Sequence, residues 1–175
     1  MDHYNRTPRR KAEFIKPPNT LKAKVGTGGL TEEILNKAQK LLEENTLDFS
    51  PLAYVYLENL WQGIEAAKHM KFSDDTEVLI TGMLYPAMQL KANGGMFRFH
   101  IVTQAADRLV QFLEVLEEID TEALEIIMAF YGAIKAVIQG KITGDGGENG
   151  KELVSALSVA CVKYFERRPP RIEFQ

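Results

Sequence analysis

The sequence predicts an all-α protein, an antiparallel helical bundle. Apolar residues recur at spacings of three and four in successive segments between residues 31 and 166. No segment shows a convincing alternation of period two bounded by turns, which is the mark of a half-buried strand. The chain has 175 residues, of which 45% are hydrophobic, and this is enough for one well-filled core. We therefore expect five or six helices joined by short connections.

The first two predicted helices begin at recognisable signals. Thr31 can cap a helix over about 31–46, and Glu32 and Glu33 suit the positive end of its dipole. Ser50-Pro51 combines a capping hydroxyl with a proline at the first helical position, which predicts a second helix to about Met70.

The third predicted helix begins at a Ser73 cap and carries the segment on which the functional interpretation depends. Pro86 lies inside it, and an internal proline removes one backbone hydrogen bond, so we expect a bend between Gly82 and Pro86. The residues assigned to its apolar, inward face are Val78, Leu79, Met83, Ala87 and Leu90.

Three further helices complete the predicted bundle. They cover about 97–119, then a strongly apolar helix from an Asp120 cap to Gly140, then 148–166. The apolar helix should be the most buried of all. The side chains predicted to be buried are Leu109, Leu113, Leu124, Ile127, Ile134 and Leu157.

Charge divides the chain into three parts. Residues 1–30 hold seven basic and two acidic residues, residues 167–175 hold three basic and one acidic, and the part between is acidic. We interpret 1–30 as a largely irregular basic arm, 31–166 as the bundle domain and 167–175 as a basic tail. The arm has few aromatic residues, so we expect no nucleic-acid partner and a solvated segment, with docking to a protein as the alternative.

Several classes of protein are disfavoured by composition. No run approaches 18 apolar residues, so no membrane span is expected, and the N-terminus lacks the apolar centre of a secretory signal. The single Cys161 fits a reducing cytoplasm. Neither metal-ligand spacing nor a catalytic constellation is present, so the chain is expected to be no enzyme and to need no metal or cofactor.

The segment Ala87-Met88-Gln89-Leu90-Lys91-Ala92-Asn93-Gly94-Gly95 is unusual for a helix interior. Glycine costs about 1 kcal/mol there relative to alanine, so two in succession need a reason. One reason is a helix end. The other is a flat face that another protein approaches closely.

This segment resembles the signature of histidine-containing phosphotransfer (HPt) domains, Ala-His-x-Leu-Lys-Gly followed by small residues. Met88 stands where the phosphorylated histidine belongs, and Ala92 replaces the glycine. A thioether cannot hold a phosphoryl group, so the resemblance implies a degenerate member without the transfer chemistry. It also implies a four-helix core, here with an extra N-terminal helix, and a place in bacterial two-component phosphorelay signalling.

We accordingly predict a non-enzymatic signalling protein that binds a response-regulator receiver domain or a histidine kinase. On a continuing helix Met88, Lys91 and Gly95 share one face. The partner-binding residues are predicted to be Met88, Gln89, Lys91, Asn93, Gly94 and Gly95. Two alternatives stay open: an active phosphocarrier that uses His100, twelve residues beyond Met88, and a helical scaffold unrelated to phosphorelay. The oligomeric state is left open.

Overall fold

A computed structural model describes Lys24 and residues 29–43, 48–71 and 75–168. All regular structure in these ranges is helical and they contain no strand, which confirms the predicted all-α bundle. The described residues divide into two compact units, one containing the first helix and one formed by residues 48–168.

Helix α1, Glu32–Glu43, belongs to the smaller unit. Thr31 Oγ1 accepts a hydrogen bond from the Ile34 amide at 3.4 Å, as its predicted capping role requires. The sequence predicts an additional N-terminal helix at this position, and the structure contains it. Nearly all of the predicted basic arm, and its predicted mobility, lie outside the described residues.

The larger unit holds five α-helices. Asp120 caps its helix as expected, because its Oδ1 accepts a hydrogen bond from the Ala123 amide at 2.7 Å. Helix α2 begins at Ser50 with Pro51 in its first turn, but Ser50 is not its cap, since the Ser50 hydroxyl donates to Asp48 Oδ1 at 2.7 Å. The third helix is capped by Asp75 through the Glu77 amide at 2.8 Å, while Ser73 lies outside the described ranges. The bounds are α2 Ser50–Lys68, α3 Thr76–Gly94, α4 His100–Val115, α5 Thr121–Gln139 and α6 Gly147–Glu166, with a short 3-10 turn over Gly95–Phe97.

Four of these helices form a closed ring. Helix α2 packs against α3 and α5, and α4 packs against the same two helices from the other side. The start of α2 meets the end of α3, where Phe49 stacks on Phe97 with ring centroids 5.0 Å apart. These two helices are therefore antiparallel. Helix α6 packs outside the ring, against α4 and α5.

Five of the six side chains predicted to be buried are buried, but the most buried helix is α4, with ten buried residues of 16 against seven of 19 in α5. Leu109, Leu113, Ile127, Ile134 and Leu157 are buried. Leu124 is only half-buried and packs at the edge of the core. Its neighbour Ala123 takes the inward position at the start of α5 instead.

The end of α6 is tied to the start of α5 by a charged cluster. The Arg168 guanidinium contacts Asp120 at 2.7 Å and Glu122 at 2.8 Å, and it lies 4.0 Å from the centroid of the Tyr164 ring. Arg167 contacts Glu122 at 2.9 Å. The predicted tail therefore does not begin at Arg167, because both arginines are anchored to the bundle. Residues 169–175 lie outside the described ranges.

Burial, reinforced by the negative charge of Asp120, raises the pKa of Tyr164 to about 12. An unfolded tyrosine titrates near 10, so between pH 10 and 12 the unfolded chain loses this proton while the folded chain keeps it. Deprotonation then favours unfolding, and stability falls as pH rises through this window. Below pH 10 Tyr164 keeps its proton in both the folded and the unfolded chain, so it adds nothing to the pH dependence of stability.

We expect Tyr164→Phe to flatten the loss of stability between pH 10 and 12. The slope of the unfolding free energy should change by up to about 1.4 kcal/mol per pH unit. Urea unfolding at pH 8, 10 and 11 measures this slope. The matched control is Tyr54→Phe, because Tyr54 is exposed on another helix. Equal slopes for wild type and Tyr164→Phe would contradict the assignment.

Candidate functional site

The predicted binding segment lies at the end of α3 and the corner that follows it. Helix α3 ends at Gly94, and the chain reverses through the 3-10 turn and through Arg98, which has a left-handed φ of 65°. The Phe99 amide donates to the Gly94 carbonyl at 2.8 Å and fixes this corner. Met88 and His100 therefore lie on different helices.

Gly94 is required by the corner itself. A Cβ at this position would lie 2.8 Å from Thr103 Oγ1 and 3.1 Å from the Phe99 carbonyl oxygen. Gly94 is buried, so it cannot form part of an exposed binding face, contrary to the prediction. Gly95 is half-buried, and a Cβ added there would lie 3.5 Å from the same Thr103 hydroxyl. Of the two explanations for the paired glycines, the helix end accounts for Gly94.

Met88 lies on the exposed side of the motif. It is 48% exposed, whereas Ala87 and Leu90 on either side of it are fully buried. Gln89 and Asn93 are half-buried, and the Asn93 side-chain amide donates to the Gln89 carbonyl at 2.9 Å. The predicted separation between core residues and outward residues of the motif is therefore found around Met88.

Lys91 is held by its own chain. Its ammonium lies 2.7 Å from Asp107 Oδ1 of α4, and its carbonyl accepts the Thr103 hydroxyl at 3.2 Å. Asp107 also accepts from Gln111 at 2.8 Å. Lys91, a predicted partner-binding residue, is thus already paired within the bundle.

Arg98 is an exposed basic residue that the predicted set of binding residues does not include. Its side chain is exposed at the corner, and it makes no ion pair within the described ranges. Met96 is exposed two residues earlier. In the sequence, Arg98 stands at a position where the HPt pattern favours a small residue. This departure from the pattern is the signal that could have identified Arg98.

A second feature of α3 also escapes the sequence interpretation. Val78 is 64% exposed, contrary to its predicted place on the inward face, and Tyr85 is equally exposed. Seven uncharged residues follow one another along the outward side of the helix. We call this set the α3 stripe: Val78, Thr81, Gly82, Tyr85, Met88, Gln89 and Ala92.

The sequence indicates the stripe through the small number of charged residues in α3. Glu77 and Lys91 are the only charged residues of this 19-residue helix. An exposed helix face normally carries charges at intervals along its length. A helix that lacks them on its outward side presents a surface suited to contact with another protein.

The side chains of this surface are suited to contact with another molecule. Thioether and phenol side chains offer dispersion and stacking, and small residues beside them allow close approach. His100 is exposed at the first residue of α4. Among the described residues no three His, Cys, Asp or Glu side chains are grouped closely enough to hold a metal ion.

Comparison with known proteins finds no matching family, no similar curated protein and no similar solved structure. In the part of the chain that the structure describes, no helix is both long and apolar enough to cross a bilayer.

Proposed function

We propose that this chain is a non-enzymatic signalling module that docks a receiver domain through the C-terminal part of α3 and the corner after it. The observation that carries the proposal is that Met88 is exposed while Ala87 and Leu90 are buried, in the C-terminal part of one helix of a closed four-helix ring. The HPt resemblance puts a phosphorylated histidine at this position. A methionine there keeps a contact surface and removes the nucleophile.

The docking surface consists of Met88, Ala92, Met96 and Arg98, with Lys91 at its edge. An apolar patch beside one exposed guanidinium suits a partner whose binding pocket is acidic, because the cation steers approach and the apolar residues provide contact area. Receiver domains have such a pocket, and this makes them the partner we propose. A cytoplasmic, bacterial setting follows from the same proposal.

Binding to purified receiver domains of the source organism tests the proposal. We expect Met88→Glu and Arg98→Glu each to weaken binding by about tenfold or more, since each acts at the centre of a small interface. Val159→Glu is the matched control, because Val159 is 46% exposed on α6. All three variants should keep the wild-type melting temperature within a few degrees.

Three outcomes would overturn the proposal. If the histidine-kinase dimerisation domain binds and no receiver does, the partner is the kinase. If neither binds, the helical scaffold hypothesis replaces the signalling module. Incubation with an active kinase and labelled nucleotide should leave the chain unlabelled, and acid-labile label that is lost in His100→Ala would establish the phosphocarrier instead.

A further inference from the structure

The α3 stripe of one copy is complementary to the α3 stripe of a second copy that runs in the opposite direction. At 100° per residue its seven members fall within an arc of about 120°, with Tyr85 near the centre. Val78 and Ala92 lie at equal distances on either side of Tyr85 along the helix. Thr81 and Gln89 are likewise symmetric about it, four residues away in each direction.

An antiparallel pairing of two α3 helices uses this symmetry. With a two-fold axis beside Tyr85, each tyrosine faces its counterpart, and the larger Val78 of one copy faces the smaller Ala92 of the other. No described atom lies within 4 Å of the position that a Cβ on Gly82 would occupy, which leaves room for Gln89 of the second copy. Away from the axis, larger residues thus meet smaller ones, as close helix packing requires.

The two charges of α3 fit the same arrangement. Glu77 and Lys91 lie on one flank of the stripe, eight residues before and six residues after Tyr85. Antiparallel pairing brings Glu77 of each copy close to Lys91 of the other, so opposite charges face each other at both ends of the interface. Both side chains already interact within their own chain, so the second copy would share or replace those contacts.

We propose that the α3 stripe is a homodimer interface, with its two-fold axis beside Tyr85. The occupant is a second copy of this chain, because both the size pattern and the charge pattern of the stripe match themselves when reversed. A helix of 19 residues is about 28 Å long, and one helix pair buries less than the roughly 800 Å² per partner of a standard interface. The dimer is therefore a reversible one.

This dimer does not depend on the proposed receiver binding, but the two share Met88 and Ala92. Each copy in a dimer would have part of its docking surface covered. A partner that binds only the monomer shifts the equilibrium towards it by mass action. Self-association would then set the concentration at which the docking surface becomes available.

Sedimentation equilibrium of the full chain across micromolar to millimolar concentrations measures the dimer directly. We expect Tyr85→Glu to raise the dissociation constant at least tenfold, because two carboxylates then face each other at the axis. Val159→Glu on α6 is the control and should leave it unchanged within about twofold. Both positions are exposed, and circular dichroism melts confirm that each variant is folded.

A cross-link distinguishes this interface from any other dimer. Tyr85→Cys should form a disulfide-linked dimer under mild oxidation, because residues on the axis approach within the Cβ separation of about 3.5–4.5 Å that a disulfide needs. Val159→Cys should not, and the native Cys161 is buried and cannot contribute.

A chain that stays monomeric at millimolar concentration would overturn the proposal, whatever the receiver experiment shows. A dimer that is insensitive to Tyr85→Glu and gives no Tyr85→Cys cross-link would show that another surface pairs. Receiver binding that fails while the α3 dimer forms would remove the proposed function and leave this inference standing.

Discussion

Replacing Phe112 with alanine is expected to destabilise the bundle by about 3–5 kcal/mol, a large fraction of the stability of a domain of this size. Phe112 is fully buried on α4, the helix that contacts α3, α5 and α6. Its ring lies 5.3 Å from Tyr164 and 5.4 Å from Phe165 by centroid distance. Truncation would leave a cavity between α4 and α6 and remove two aromatic contacts.

Chemical denaturation at neutral pH measures this loss. Met128→Ala is the matched control, because Met128 is also large and apolar but is 38% exposed on α5. We expect the control to change stability by about 0.5 kcal/mol or less. A loss below about 1 kcal/mol for Phe112→Ala would mean that α6 does not pack against α4 as described.

Gly150→Ala is expected to cost about 1–3 kcal/mol, although alanine is normally the better helix former. A Cβ at Gly150 would overlap the carbonyl oxygen of Asp145 and lie 3.0 Å from Ile101 Cδ1. The loop cannot simply move away, because Gly144 exchanges backbone hydrogen bonds with Arg98 and Ile101. The substitution must therefore break these bonds or distort the start of α6.

Gly132→Ala provides the control of opposite sign. Gly132 is exposed in the middle of α5, and a Cβ added there would meet no described atom within 4 Å. The same chemical change should there stabilise the protein by about 0.5–1 kcal/mol. Thermal melts of the two variants, measured together, should move in opposite directions. If Gly150→Ala also raises the melting temperature, the loop does not approach α6 as closely as described.

The sequence alone determined the helical class, the approximate extent of each helix and most of the core. Positions such as Leu109 and Ile134 are predicted correctly because one apolar stripe on a helix has only one way to turn inward. Caps such as Asp120 are found because the side chain acts on amides two or three residues away. These are local properties, and local properties can be read along a chain.

Helix α3 shows where that reasoning stops. It is apolar on two sides, so periodicity cannot decide which side faces the core. The sequence predicts that Val78 points inward, and the structure exposes it. Only packing against α2 and α4 fixes the rotation of the helix and leaves the stripe outside.

Tertiary structure also decided which of the predicted binding residues are buried and which are paired with another side chain. Gly94 is buried because Thr103, nine residues later, folds back over it, and Lys91 is neutralised by Asp107. Both contacts join α3 to α4 across the corner, and no pattern within either helix specifies them. Met88 lies outward as expected from the assignment of Ala87 and Leu90 to the core. The rotation of α3 and the pairing of its charges, in contrast, depend on the helices that pack beside it.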